Sequence, residues 1–162
     1  MTQILGSMRR LDDKVGVVRV EDVYDTDIAD LWSALTEPPR LARWMAQVEG
    51  DLREGGTFQA RFTSSWEGPG RVDVCDAPHR LLLTLQPGTD EENTIEAVLH
   101  AEGDKTRLVI EEHGLPLDKI HYHGAGWQSH IEDLRRYLAG GESHWKERWE
   151  ELTPSYATMP IP

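Results

Sequence analysis

The sequence has a single cysteine and no long apolar stretch, and these two features exclude several classes of protein. Cys75 is the only cysteine in 162 residues, so no intrachain disulfide and no cysteine-based zinc site can form. No apolar run reaches the length of a membrane helix, and residues 1–14 lack the apolar segment and cleavage site of a signal peptide. We therefore expect a cytoplasmic protein that is stabilised by packing.

Basic residues are also scarce. The chain has 17 Lys and Arg against 29 Asp and Glu, which gives a formal net charge of −12. A field of that sign repels phosphates and anionic lipid head groups. We therefore expect neither nucleic acid nor a membrane as a partner. The acidity indicates either ordinary solubility or attraction of a basic partner.

The length suits one domain with a sizeable core. Alternation over residues 15–24 predicts a first strand. Ile28, Leu31, Trp32 and Leu35 then form one apolar helix face, and Pro38 and Pro39 separate this helix from a second short one over residues 40–45.

The middle of the chain predicts a meander of antiparallel strands. Alternating segments follow one another from residue 48 to residue 112, separated by turns such as those at residues 53–56 and 66–70. Phe58, Ala60 and Phe62 share one face of their strand, and Leu108 and Ile110 share the inward face of the last strand. The meander ends near Gly114 and Pro116.

Two helices are predicted after the meander. The first begins between residues 118 and 123 and ends at Leu138, with a single apolar stripe formed by Trp127, Ile131, Leu134 and Leu138. A second helix follows Ser143, and residues 153–162 are expected to be extended or frayed. We divide the chain into a leader (1–14), a domain (15–141) and a C-terminal extension (142–162).

Several segments resemble one known family in their order. Residues 31–38 (LWSALTEP) resemble its "VW-x-ALT-x-P" signature, with Trp44 as the tryptophan that follows, and residues 50–58 (GDLREGGTF) resemble its "G-D-x-R-x-GG-x-F" turn. Residues 70–72 with 78–81 and residues 106–108 match later strands, and residues 126–127 (GW) match the closing helix. The family is the branch of the START-like, Bet v 1-type (SRPBCC) superfamily named for the activator of Hsp90 ATPase homologue 1.

The resemblance implies an α+β helix-grip fold. In that fold a curved antiparallel sheet of about six to seven strands wraps on a long C-terminal helix, with two short helices after strand 1. It also implies an apolar cavity between sheet and helix. Two small inward residues, Ala60 and Ala97, indicate such a space independently, although bulky neighbours could fill it. The candidate ligand-contact residues are Trp44, Met45, Phe58, Ala60, Phe62, Leu83, Ala97, Trp127, His130, Ile131 and Leu134.

Few residues suggest chemistry. His123 and His130 stand seven residues apart, roughly 10 Å along a helix, which is too far for one metal ion. We therefore expect no metal and no cofactor. His130, His123 and Asp22 are weak candidates for acid–base catalysis, and no motif demands an enzyme.

Three functions follow as hypotheses. The first is binding of an apolar or amphipathic small molecule in the cavity. The second, implied by resemblance to polyketide cyclases and aromatases of the superfamily, is acid–base catalysis. The third is a chaperone-related or other protein-interaction module, which the family name suggests; the short leader leaves no room for the additional N-terminal domain of Hsp90 activators. Trp145 and Trp149 either hold the extension on the body or form a homodimer or protein contact.

Overall fold

A computed structural model describes residues 3–162 and shows one large antiparallel sheet with four helices. The strands are β1 (Gly6–Arg10), β2 (Val15–Tyr24), β3 (Ala46–Gly50), β4 (Thr57–Phe62), β5 (Glu67–Asp76), β6 (Arg80–Leu85), β7 (Asn93–Glu102) and β8 (Lys105–Pro116). The helices are α1 (Ile28–Thr36), α2 (Pro38–Leu41), α3 (Ile120–Leu138) and α4 (Trp145–Ala157).

The sheet runs in the order β1-β2-β8-β7-β6-β5-β4-β3, and every neighbouring pair is antiparallel. The register shifts between Gly16 and Val17 and between Val72 and Val74, and such irregularities bend a strand and increase its twist. Helix α3 packs against β1 and β2 on the concave face. The α+β helix-grip fold predicted from the sequence is therefore confirmed.

Local signals explain the two short helices. The Asp27 side chain accepts a hydrogen bond from the Asp30 backbone N–H at 2.8 Å and caps α1. Pro38 opens α2, where its missing N–H is tolerated in the first turn. Leu31, Ala34 and Leu35 form the buried face of α1, which confirms the predicted helix.

The sheet has eight strands instead of the six or seven expected. The extra strand is β1, which lies in the segment predicted as a leader and pairs with β2 from Gly6–Val20 to Arg10–Gly16. Its sequence, GSMRR, gave no signal because Met8 is its only buried side chain.

Three local predictions were wrong. The second short helix spans Pro38–Leu41 instead of residues 40–45. Residues 67–70 belong to strand β5 instead of a turn, and Gly70 lies beneath the Phe58 ring, where an added Cβ would clash with Cζ. Residues 153–157 continue α4 instead of being extended. Pro154 disfavours a helix interior, but Leu152 and Tyr156 on the inward face of α4 are both completely buried.

Helix α3 is buried on two sides. Its apolar stripe faces the sheet, and Trp127, Ile131 and Leu134 are buried as predicted. Helix α4 covers the opposite side, so that Gln128, Ser129 and Asp133 are buried as well. No helix within residues 3–162 is long and apolar enough to cross a membrane. The cytoplasmic location stays a prediction.

Candidate functional site

Two neighbouring cavities lie on the concave side of the sheet. The larger, which we call the aromatic cavity, has a volume of about 250 Å³. It lies between the sheet and helices α3 and α4 and is lined by Phe62, Ser64, Trp66, Leu85, Asn93, Ile95, Glu112, Tyr122, His123, Gly126, Trp127, His130, Trp145 and Trp149. Four of the chain's six tryptophans are in this wall.

Gly126 on α3 allows the tryptophan rings of α4 to approach the α3 backbone closely. A Cβ added at Gly126 would lie 3.3 Å from Trp145 Cζ2, so a larger residue there would crowd the ring. The Trp145 indole N–H donates to the Gly126 carbonyl at 3.0 Å, and the Trp149 indole N–H donates to the Tyr122 carbonyl at 3.0 Å. Both rings are therefore held in the wall by backbone groups of α3.

Charged and polar contacts fix α4 on α3. Arg148 donates to both carboxylate oxygens of Glu132, at 2.6 and 3.1 Å. The Tyr156 hydroxyl donates to Gln128 Oε1 at 2.6 Å, where both residues are completely buried. These bonds make the C-terminal extension part of the cavity wall. Trp145 and Trp149 accordingly pack on the body, and a contact with a second protein through them stays a prediction.

Glu112 is the one carboxylate in the aromatic cavity. It lies on β8 with only 5% of its surface exposed, and its Oε1 accepts a hydrogen bond from the Trp127 indole N–H at 2.8 Å. The same oxygen lies 3.6 Å from His123 Nδ1. Glu112 was not predicted from the sequence, although it shares the inward alternation of Leu108 and Ile110, because a carboxylate was not expected on the apolar face.

His130 lies deep in the same wall. The ring centroids of Phe62, Trp127 and Trp145 are 5.9, 5.4 and 5.6 Å from its own. Desolvation by burial lowers the pKa of His130 to about 3, so the imidazole is neutral at physiological pH. Its Nδ1 has no hydrogen-bond partner within the described part of the chain.

Asn93 provides a second unpartnered atom. Its Nδ2 donates to the Glu91 carbonyl at 3.0 Å, whereas its buried Oδ1 has no partner among residues 3–162. Asn93 was also missed, although it shares strand parity with Ile95 and Ala97 on β7. A buried polar atom without a partner is unfavourable, and a ligand in the cavity could supply the missing bond.

The smaller cavity, which we call the apolar cavity, has a volume of about 80 Å³. It lies beneath α1, α2 and strands β3 to β6, and Phe62 and Leu85 line both cavities. Four predicted ligand-contact residues lie only here, namely Met45, Phe58, Ala60 and Leu83. Its walls contain no ionisable group except the thiol of Cys75.

The remaining predicted residues line neither cavity. Trp44 is buried under α1, where its indole N–H donates to the Ala34 carbonyl at 2.9 Å. Ala97, Ile131 and Leu134 are packed in the core. Of the expected contacts, the aromatic cavity therefore brings together Phe62, Trp127 and His130.

Of the three acid–base candidates, two line the aromatic cavity and one does not. His123 and His130 both line the aromatic cavity. Asp22 does not, because its carboxylate accepts a hydrogen bond from Arg135 at 2.6 Å on the far side of α3. Within residues 3–162 no group of three or more His, Cys, Asp or Glu side chains is placed to hold a metal ion.

Solved structures share this fold along most of the chain. CalU16 from Micromonospora echinospora is 25% identical with a TM-score of 0.77, and the match covers 95% of this chain and 96% of that one. DynU16, a protein in the dynemicin biosynthetic locus, is 25% identical with a TM-score of 0.70, over 82% of this chain and 49% of DynU16. EF2215 from Enterococcus faecalis, at 18% identity, has a TM-score of 0.74 over 94% of this chain and 88% of its own, which shows likeness of fold alone.

Comparison by sequence gives the family. No curated protein sequence matches the chain. The family model described as "Activator of Hsp90 ATPase homolog 1-like protein" matches residues 25–139, which span most of the sheet and all of α3 but stop before α4. The chain belongs to this family of activator of Hsp90 ATPase homologue 1-like proteins, within the START-like superfamily.

Proposed function

We propose that the protein binds a small apolar or amphipathic molecule in the aromatic cavity. The observation that supports this most directly is the cavity itself, a partly open space of about 250 Å³ lined by aromatic rings and a few polar side chains. Ligand sites typically combine apolar walls with a few placed polar groups. The volume is slightly below the roughly 300–1,000 Å³ of drug-sized pockets, so the ligand is small, comparable to a fused bicyclic aromatic.

The polar groups of the cavity suit an amphipathic ligand. His130 Nδ1 and Asn93 Oδ1 are buried without partners among the described residues, and Glu112 presents a carboxylate. A purely apolar ligand would leave these groups unsatisfied. A ligand with one hydrogen-bond donor would satisfy at least one of them.

Two directly paired residues offer a matched test. Leu83 on β6 and Ile95 on β7 are register partners, yet Leu83 lines the apolar cavity and Ile95 the aromatic cavity. With 2-naphthylmethanol as probe, we expect Ile95→Phe to weaken binding at least about tenfold because the ring enters the site. Leu83→Phe should leave the affinity within about twofold.

The measurement is isothermal titration calorimetry, with amide chemical-shift mapping to place the probe. Shifts should cluster on residues of the aromatic cavity. If a panel of neutral and charged bicyclic aromatics, 2-naphthylmethanol included, gives neither heat nor shifts, the proposal is wrong. Native mass spectrometry of the purified protein would additionally show a retained molecule by its mass.

Acid–base catalysis is a second candidate, favoured by the position of His123. Its Nδ1 lies 3.6 Å from Glu112 Oε1, so a histidine and a carboxylate meet at the cavity wall. A histidine near neutral pH is suited to removing a proton next to a carbonyl group. His130 is less suited, because its low pKa keeps it from donating a proton at neutral pH.

Proton exchange tests this candidate without a known substrate. Acetophenone in D₂O should exchange its methyl protons faster with the protein than in buffer, as followed by NMR. His123→Gln should remove the acceleration. His121→Gln is the control, because the His121 ring packs on Tyr122 and does not line the cavity. No acceleration by the unaltered protein would argue against catalysis of this class.

A further inference from the structure

We infer that the aromatic cavity selects a cationic ligand, a protonated amine carried on an aromatic or aliphatic frame. This inference rests on the proposed function and adds the charge of the ligand to it. Three features of the wall support it: the sign of its ionisable groups, the state of three of its four indole N–H groups and the placement of its free acceptors.

The first feature is the charge of the wall. Glu112 is a carboxylate with 5% exposure, and among residues 3–162 no Lys or Arg lines the cavity. The basic side chains of the described wall are His123, whose Nδ1 lies 3.6 Å from Glu112 Oε1, and His130, which is neutral at physiological pH. A buried charge is strongly unfavourable unless it is paired, so a ligand cation would complete the site.

The second feature concerns the rings. Three of the four tryptophans in the wall, namely Trp127, Trp145 and Trp149, donate their indole N–H groups to groups of the protein itself, at 2.8, 3.0 and 3.0 Å. These three rings therefore have no N–H left to donate to an anion or a carbonyl oxygen of a ligand. What they offer is the negative π surface, which attracts ammonium groups within about 6 Å of a ring centroid.

The third feature is an excess of acceptors. Both contacts of Glu112 are made by Oε1, which leaves Oε2 available to the cavity. Asn93 Oδ1 is a second acceptor without a partner in the described chain. His130 is a neutral imidazole with one unprotonated nitrogen, which can accept a third bond. A protonated amine supplies up to three N–H donors from one atom.

The net charge of the whole molecule also favours a cationic ligand. The net charge of −12 raises the local concentration of cations near the surface and lowers that of anions. Anionic ligands would also be placed against Glu112 inside the cavity. Neutral ligands would bring no positive charge to the carboxylate.

Three probes on one ring system test the charge. With the unaltered protein, 2-naphthylmethylamine, protonated at pH 7, should bind at least about tenfold tighter than 2-naphthylmethanol. The anion 2-naphthoate should bind weaker than the alcohol. Equal affinity of the amine and the alcohol would overturn the inference while leaving the proposed function intact. Failure of all three probes to bind would instead remove the proposed function.

A pair of neighbouring glutamates supplies the variants. Glu112→Gln keeps an oxygen for the Trp127 N–H but removes the charge, and it should reduce the preference for the amine over the alcohol to below about threefold. Glu111→Gln is the control, because Glu111 lies on the opposite face of β8 and pairs with Arg9. Its preference should match that of the unaltered protein. An unchanged preference of Glu112→Gln for the amine over the alcohol would show that Glu112 does not recognise the charge of the ligand.

Discussion

The two cavities share Phe62 and Leu85 as a common wall but differ in chemistry and in origin. The apolar cavity is built wholly from residues within the family match, whereas the aromatic cavity takes Trp145 and Trp149 from α4, beyond residue 139. The first has about 80 Å³ and almost no polar groups, and the second has about 250 Å³ with a buried carboxylate and two histidines. The family domain thus supplies the frame and the carboxylate of Glu112, and the C-terminal helix completes the wall with aromatic rings.

The largest effect is expected from removing the ring that joins α3 to Glu112. Trp127→Ala deletes a side chain with 4% exposure and the N–H donor of the buried carboxylate. We expect a loss of about 3–5 kcal/mol in the free energy of unfolding, measured by urea denaturation. Tyr122→Ala, at 46% exposure, should lose less than about 1 kcal/mol. An unchanged urea midpoint for Trp127→Ala would contradict this account of the wall.

The second test removes the side chain that separates the two cavities. Phe62 lines both cavities, and its ring packs edge-on against Trp66 at 5.4 Å between centroids. Phe62→Ala should lower the free energy of unfolding by about 2–3 kcal/mol, less than for a fully buried ring because Phe62 is half-buried. The merged space should admit 1-pyrenylmethanol, which the unaltered protein should exclude, as calorimetry would show. Exclusion by both proteins would mean that Phe62 is not the partition.

The third test uses the histidines, which line the aromatic cavity and not the apolar one. The pKa of His130 is lowered to about 3 in the folded protein, and an unfolded histidine titrates near its usual value of 6.5. As the pH falls below 6.5, His130 binds a proton in the unfolded chain but not in the folded protein. The free energy of unfolding therefore falls until about pH 3. Between pH 7 and pH 5 this contributes a loss of about 2 kcal/mol.

Because other histidines also titrate, the contribution is read as a difference between two proteins. His130→Gln should lose about 2 kcal/mol less than the unaltered protein between pH 7 and pH 5 in urea denaturation. His121→Gln, outside both cavities, should follow the unaltered protein. Parallel pH profiles for the unaltered protein and His130→Gln would show that His130 is not buried as described.

The smallest expected effect tests how α4 is attached. Tyr156→Phe removes the hydroxyl that donates to Gln128 Oε1, but this oxygen keeps the Leu5 backbone N–H at 3.0 Å. The loss should therefore be about 1 kcal/mol, seen as a lower Tm. Binding of 2-naphthylmethanol should be unchanged, since Tyr156 lies outside the aromatic cavity. A tenfold weaker affinity would mean that α4 is held mainly by this bond.

Periodic segments made the fold predictable. Alternation in β4, β7 and β8 and the three- and four-residue spacings in α3 each indicate one buried face, and the resemblance supplied their order. Strand β1 and the end of α4 were not predictable in this way. The former buries only Met8, and the latter is helical because Tyr156 is buried against α3, which is a tertiary effect.

The site was predictable only in part. Trp127 and His130 followed from their position on the stripe of α3, and Phe62 from its strand parity. Trp145 and Trp149 reached the cavity because Gly126 admits them and Arg148 pairs with Glu132, contacts between residues that no local pattern connects. Glu112 and Asn93 did have a signal, namely inward parity in strands whose other inward residues are apolar. A polar residue that breaks such a pattern identifies a candidate site.

The uneven distribution of tryptophan gives the protein an intrinsic fluorescent probe of ligand binding. Trp66, Trp127, Trp145 and Trp149 line the aromatic cavity, while Trp44 is enclosed beneath α1 and Trp32 lies on α1 itself. Indole emission shifts to the red when water reaches the ring and is quenched by many aromatic ligands. Occupancy of the cavity would therefore change most of the intrinsic fluorescence, with Trp44 and Trp32 as an internal reference, and binding could be followed without a label.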